Sequence, residues 1–285
     1  MEESIRKAEI LIEALPYIQA FRGKVIVVKY GGSAIDDPSA MQGILQDLVF
    51  LSVVGIRPVL VHGGGPMITR KLSEAGKRSA FIEGMRVTDR ETIRVVNREL
   101  EAVNRRLVAL VTSLNGHAEG VIPRHRVILA SPHPRSAELG FVGSVQTVRA
   151  ALLRRIFMRH AIPVISPVGI GDGNQLYNIN ADDVASEVAV RLKAEKLVLL
   201  TNVRGLQRQA NDIGSLISTL PVKDAKQLIE RRVIQEGMIP KVRACVEALR
   251  RGVRKTHIID ASIPHAMLLE IFTKQGIGTE IVRSR

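Results

Sequence analysis

Apolar residues recur along this chain in short unbroken runs, each closed by glycine or a polar turn and followed by a stretch with helical spacing. Val25, Ile26, Val27 and Val28 lead into Lys29-Tyr30-Gly31-Gly32, and Val59, Leu60 and Val61 lead into His62-Gly63-Gly64-Gly65. Runs of this length without alternation predict strands covered on both faces, as in parallel sheets. Pro38 and Pro66 stand where a first helical turn begins, so a helix is expected after each loop, and Gly55 marks the stop between the two halves. Strand, glycine loop and helix twice over predicts a mostly parallel α/β sheet with helices on both faces.

The rest of the chain extends this pattern. Residues 4–20 read as an amphipathic helix with Ile5, Ala8, Ile12 and Leu15 on one stripe, bent or ended by Pro16. Thr88-Asp89-Arg90-Glu91 reads as a capping box. Behind it Ile93, Val96, Leu100, Val103, Leu107, Leu110 and Leu114 repeat at spacings of three and four, and the helix closes at Asn115-Gly116. Such a stripe suits either packing on the sheet or pairing across a dimer interface. Residues 120–150 read as short strands and turns, then a helix is expected over about 145–160. Further strands are expected over 162–166, 197–201 and 256–259, and helices over 182–193, after Gly237-Met238-Ile239-Pro240-Lys241, and over 264–273. Gly169-Ile170-Gly171-Asp172-Gly173 has the look of a dinucleotide fingerprint, but Asn174-Gln175 and Tyr177-Asn178 follow instead of a helix, so a hairpin turn is the reading. The chain divides near Ala194-Glu195, giving an N-terminal helix (1–20), a first lobe (21–193) and a second (194–285).

Composition narrows the class. At 285 residues with 46% apolar content the chain can bury a substantial core, yet no apolar run approaches a membrane span and the first residues carry alternating charge, so a soluble, cytoplasmic protein is expected. The single cysteine, Cys245, falls in a helical stretch and reads as a buried structural thiol. Lys and Arg exceed acids by 41 to 28, a net charge of +13 that suits an anionic partner. Nucleic acid is disfavoured: there is no tryptophan, aromatics are 3%, and the arginine pairs at 105–106, 154–155, 231–232 and 250–251 are scattered. A solvated surface, or affinity for phosphorylated metabolites, fits better. Glycine loops let several N–H groups converge on phosphate oxygens, helix N-termini add to their field, and Lys29 supplies full charge.

The motifs, in order, resemble those of the N-acetylglutamate kinases of the amino-acid kinase family. They are Lys-Tyr-Gly-Gly at 29–32, His-Gly-Gly-Gly-Pro at 62–66, Gly-Met-Arg-Val-Thr-Asp at 84–89, Tyr-Asn-Ile-Asn-Ala-Asp at 177–182, Gly-Met-Ile-Pro-Lys-Val at 237–242 and Leu-Leu-Glu-Ile-Phe-Thr at 268–273. The first two are common to amino-acid kinases, and the other four point to acetylglutamate. The resemblance implies an open αβα sandwich, acyl amino acid held by the first lobe and ATP by the second, and phosphoryl transfer from MgATP to the side-chain carboxylate of N-acetyl-L-glutamate in arginine biosynthesis, with no covalent enzyme intermediate.

By position, the resemblance gives Lys29 and Lys241 the transferring phosphoryl group, from the acyl and nucleotide sides respectively, with Asp182 holding both ammonium groups. Gly31 and Gly32 fall to phosphate, Gly64 and Gly65 to backbone contacts with substrate, Arg86 to the α-carboxylate and Asn178 to a substrate hydrogen bond. Thr201, Asn202, Gly205 and Gly237 fall in the nucleotide pocket. Magnesium is expected on phosphates and water, with no protein metal cage. The N-terminal helix resembles the extension that interlaces dimers into hexamers in arginine-inhibited members, with Glu270 and Gly278 in the candidate arginine site. The chain departs from the family at Glu236 (usually glycine), at Asn202 (commonly aspartate), at Ala261-Ser262 (usually Gly-Arg) and across 121–137. The rival readings are a kinase of the same family acting on glutamate or aminoadipate attached to an acidic carrier protein, and a non-catalytic metabolite sensor or nucleic-acid binder.

Overall fold

The computed structural model describes residues 1–209, 212–235, 237–273 and 276–283. Helix α1 (Glu2–Phe21) leads into strand β1 (Val25–Tyr30), then α2 (Pro38–Val53), β2 (Arg57–His62) and α3 (Gly65–Glu74). A small hairpin, β3 (Phe81–Ile82) and β4 (Met85–Arg86), precedes the long α4 (Arg90–Ser113). The chain continues through β5 (Ala118–Val121), β6 (Ile128–Pro132), α5 (Ser136–Leu139), β7 (Gly143–Val148) and α6 (Ala150–Met158). Next come β8 (Ile162–Ile165), β9 (Val168–Ile170), β10 (Leu176–Asn178), α7 (Ala181–Leu192) and β11 (Lys196–Thr201). The remainder is β12 (Thr219–Pro221), α8 (Val222–Glu230), α9 (Met238–Arg250), β13 (Lys255–Asp260), α10 (Ala266–Phe272) and β14 (Thr279–Val282).

The main sheet has eight strands in the order β12-β14-β13-β11-β1-β2-β8-β5, parallel except where β13 meets β14. Its centre is the unbroken apolar runs: Ile26, Val27, Val28, Val59, Leu60, Val61 and residues 197–200 are fully buried. The two faces carry separate cores, one under α6 to α9 and one under α2, α4 and α10, which is the αβα sandwich. Because β1 pairs with β11 on one side and β2 on the other, one sheet holds strands from both sides of the expected division near residue 194. A second sheet, β10-β9-β6-β7, includes the antiparallel β9–β10 hairpin predicted from the Gly169–Gly173 segment.

Three expectations need correction. Pro16 lies inside α1 and does not end it; Arg22 N–H still bonds to Ile18 O (2.9 Å), and Tyr17 meets Phe272 edge-on at 6.2 Å, so contacts with the body hold the last turn against the lost bond. Residues 145–148 are strand, not helix, since Val145 pairs with Ala130; the helix waits until Ala150. The α4 cap is Asp89, whose carboxylate accepts from Thr92 N–H at 2.8 Å, while Thr88 is drawn into the site below. The α4 stripe is covered by its own chain: Ile93, Val96, Leu100, Val103 and Leu107 are buried, and Leu110 and Leu114 pack against the same core. Cys245 is buried as expected, and burial pushes its thiol up to about 12. Among the described residues no helix is long and apolar enough to cross a membrane.

Candidate active site

The carboxyl ends of β1, β2 and β11 lie side by side, with Lys29 opposite Val61 on one neighbour and Leu199 on the other. The two glycine loops leave this edge back to back. A Cβ on Gly31 would come within 3.0 Å of Gly63 Cα, so side chains are excluded by backbone contact. Gly32 takes a φ of +72°, a left-handed conformation that favours glycine.

Across from the loops stands the amino end of α7. Asn180 caps it by accepting from Asp182 N–H at 2.8 Å, which fixes the Asp182 side chain in the first turn, where the helix field favours an anion. Asp182 bridges two cations: Oδ1 lies 3.0 Å from Lys29 Nζ and Oδ2 lies 2.8 Å from Lys241 Nζ. Lys241 is carried by the first turn of α9, which packs on α7 and is tied to it by the Ser186 hydroxyl donating to Ala244 O (3.1 Å). Burial would raise the Asp182 carboxyl, but the two ammonium groups hold it down at about 2. Desolvation lowers the Lys29 pKa and Lys241 lowers it further, against the pull of Asp182. Two cations share one carboxylate, leaving a net positive charge in a buried position.

Arg86 is 6% exposed at the end of the β3–β4 hairpin. Its guanidinium donates to Ser79 Oγ, to Thr69 Oγ1 (2.7 Å) and to Gly65 O (3.1 Å), and lies 4.6 Å from the centre of the Phe81 ring. Among the described residues no carboxylate comes within ion-pair distance of it. Burial lowers its pKa. A desolvated cation without a counter-ion is costly unless a ligand supplies one. Thr88 donates to Arg86 O (2.7 Å) and accepts from Asn178 Nδ2 (3.2 Å), linking Arg86 to Asn178 across the two sheets. Lys29, Gly32, Gly64, Gly65, Arg86, Asn178 and Asn180 line one open cleft of about 260 Å³.

The other predicted residues lie beyond this cleft. Thr201 is buried at the end of β11, its hydroxyl 3.3 Å from Asn202 Oδ1, and Asn202 is exposed. Gly205 has φ +127°, and a Cβ there would fall 2.6 Å from Thr279 Oγ1, the atom that accepts from Leu206 N–H. Gly237 caps α9 with open space around it. Of these four, Gly237 is tied to the triad, since the helix it caps carries Lys241. Glu236 lies outside the described residues. Ser262, one of the departures named above, is exposed and bonds Asp260 Oδ1 through both N–H (2.8 Å) and hydroxyl (2.7 Å).

Glu270 stands against His257 in the amino half of β13, and Gly278 lies farther along that strand, at Ile258 and Ile259. Glu270 accepts from Ile277 N–H (2.9 Å) and lies 2.7 Å from His257 Nδ1, while Lys196 Nζ reaches His257 Nε2 at 3.2 Å. Gly278 packs against Ile258 O too closely for any side chain. Lys196 sits 5.5 Å from the ring of Phe21 at the foot of α1, so this cluster touches the N-terminal helix. Sequence reading missed Lys196 and His257, and near the cleft Thr69, Ser79, Phe81 and Thr88. Lone polar residues in a strand or hairpin carry no spacing signal; only Thr88, beside Arg86 in its motif, had one.

The profile of the Amino acid kinase family matches residues 24–260. The acetylglutamate kinase of Desulforamulus reducens is 47% identical over 285 residues, 99% of each chain, and that of Aquifex aeolicus is 44% identical over 99% of each. Among solved structures, the N-acetylglutamate synthase of Neisseria gonorrhoeae, complexed with coenzyme A and N-acetyl-glutamate, superposes with a TM-score of 0.87 at 27% identity; it covers 98% of this chain, which spans 64% of the synthase. Carbamate kinase from Giardia lamblia bound to AMP-PNP shares the fold at a TM-score of 0.67, 14% identity and 92% coverage of this chain, 99% of its own. The chain belongs to the amino acid kinase family and, within it, to the acetylglutamate kinases.

Proposed function

We propose that the cleft transfers the γ-phosphoryl group of MgATP to the side-chain carboxylate of N-acetyl-L-glutamate, giving N-acetyl-L-glutamyl 5-phosphate and ADP. The observation that carries the reading is the buried Arg86, without a carboxylate of its own, in the same cleft as Lys29, which Asp182 bridges to Lys241. The α-carboxylate of the substrate supplies the missing anion to Arg86, held bidentately, and Asn178 donates to the acyl amino acid. This places the side-chain carboxylate toward Lys29 and the Gly32 and Gly64 N–H groups.

A carboxylate oxygen then forms a bond to the γ-phosphorus as the bond from that phosphorus to the β,γ-bridging oxygen breaks, and ADP leaves with the electron pair. Negative charge peaks on the equatorial oxygens. Lys29 neutralises it from the acyl side and Lys241 from the nucleotide side, while Asp182 holds the ammonium groups apart and in place. Thr201, Asn202, Gly205 and Gly237 form the nucleotide side. Both Asp182 oxygens face lysines, and in this reading magnesium arrives on the phosphates as part of the substrate MgATP.

In the same reading the enzyme is cytoplasmic, serves arginine biosynthesis and works as a homo-oligomer. Apolar residues of α1 support hexamer formation: Ile5, Ile10, Leu11, Ile12 and Leu15 are exposed, and no α1 residue is buried within the chain. Arginine inhibition is proposed at Glu270, where the ligand must displace the existing His257 contact. The test is an ADP-release assay on N-acetyl-L-glutamate, free glutamate, aspartate and carrier-bound glutamate. Preference for N-acetyl-L-glutamate is expected; preference for the carrier-bound substrate would replace this reading.

A further inference from the structure

His62, the first residue of the second glycine motif, is used by none of the steps above, yet it is fully buried directly beneath the cleft. Its two ring nitrogens have different partners. Nδ1 lies 2.9 Å from Gly63 O, and Nε2 lies 3.1 Å from Asn104 Nδ2. Asn104, buried on α4, also donates to Val164 O at 2.8 Å, so its amide nitrogen is held between β8 and the histidine. An amide NH2 can only donate, which makes Nε2 the acceptor and leaves Nδ1 carrying the proton donated to Gly63 O.

The consequence falls on the next peptide bond. In a trans peptide the C=O and the following N–H point in opposite directions, so a Gly63 carbonyl held down by His62 turns the Gly64 N–H away from the core and toward the cleft. Gly64 N–H has no protein acceptor among the described residues, and Gly64 lines the cleft. From below, Leu100 closes the remaining space: a Cβ on Gly64 would fall 2.7 Å from Leu100 Cδ2.

We propose that His62 and Asn104 are positioning residues, acting as a neutral hydrogen-bond relay from α4 that aims the Gly64 N–H at the transferring phosphoryl group. Burial keeps the imidazole neutral, with its pKa lowered to about 4, so the relay persists across the working pH range. This rests on the phosphoryl-transfer reading, but its first test does not.

In protein labelled with 15N-histidine, the His62 resonance is identified as the one missing from His62→Asn. It should show a protonated Nδ1 and an unprotonated Nε2, unchanged between pH 8 and pH 5.5; an Nε2-protonated or titrating imidazole overturns the relay whatever the substrate is. The kinetic arm compares two substitutions. His62→Asn keeps an N–H close to the Nδ1 position and should hold kcat within about threefold of wild type, whereas His62→Leu, of similar bulk without a donor, should lose about tenfold or more in kcat with KM for ATP unchanged. Equal kcat in the two folded variants overturns the proposal. If His62→Leu does not fold, Asn104→Leu replaces it, with the same loss expected. Inactivity of the wild type toward N-acetyl-L-glutamate would instead remove the substrate reading and leave the NMR result standing.

Discussion

The acyl side and the nucleotide side of the cleft are built differently. On the acyl side, charge is buried and every polar group is tied to another: Arg86 to Ser79, Thr69 and Gly65, and Asn178 through Thr88 back to Arg86. On the nucleotide side the contacts are backbone and rim. Asn202, Val203 and Arg204 are exposed, Gly237 faces open space, and Gly205 is constrained by Thr279 and Leu216. A preorganised pocket fixes which acid is phosphorylated, while an open one accepts and releases a nucleotide whose phosphates are gripped mainly by Lys241 and glycine N–H groups. The triad stands at the junction and serves both.

The junction should be the most sensitive point. Replacing Lys29 or Lys241 with alanine should lower kcat by about a hundredfold, on the order of 3 kcal/mol of transition-state stabilisation, with smaller changes in either KM. Near-normal turnover of either variant would break the assignment. The same cations set the alkaline limit: desolvation lowers the Lys29 pKa, so kcat should begin to fall below pH 10.5. Stability runs the other way. A lysine with a folded pKa below its unfolded value binds fewer protons when folded, so its contribution to stability grows as pH rises through that window. Parallel loss of kcat and melting temperature would contradict this.

On the acyl side alone, Arg86→Lys should raise KM for N-acetyl-L-glutamate by about tenfold while KM for ATP stays level, because a single ammonium cannot reproduce the bidentate grip. Its mirror is Gly205→Ala. With φ at +127° and Thr279 in the way, alanine should raise KM for ATP about threefold and lower the melting temperature by about 4 °C, leaving KM for the acyl amino acid alone. An effect of either substitution on the opposite KM would erase the contrast between the sides. Smallest for catalysis is removal of residues 1–20, expected to change kcat by less than about twofold while reducing a hexamer to dimers, read by sedimentation; a deletion variant that stays hexameric contradicts the role given to α1.

The sequence was most legible where chemistry and local structure demand the same residues. Lys29 is the last polar stop on an apolar strand, Asp182 opens a helix, and Lys241 follows a glycine cap, so each could be placed on its element before its neighbours were known. Pairings between distant segments were not legible. Val145, Thr147 and Val148 favour strand locally, but the pairing that decides it is made with Ala130, across on β6. The α4 stripe was ambiguous for the same reason: heptad spacing gives an apolar face, and only the fold shows that α2, α3, β5, β8 and β10 pack against it. Ser79 and Thr69 were invisible because a single hydroxyl has no periodicity; they gain meaning only from the guanidinium they hold.

The central claim is direct transfer between two bound substrates at the triad. Incubation with γ-32P-labelled ATP and N-acetyl-L-glutamate, divided between hydroxylamine trapping and acid precipitation of the protein, tests it in one measurement. The account predicts the side-chain hydroxamate of N-acetyl-L-glutamate in the trapped portion and no label on the protein. Label retained on the protein, or ADP formed without any hydroxamate, would contradict it.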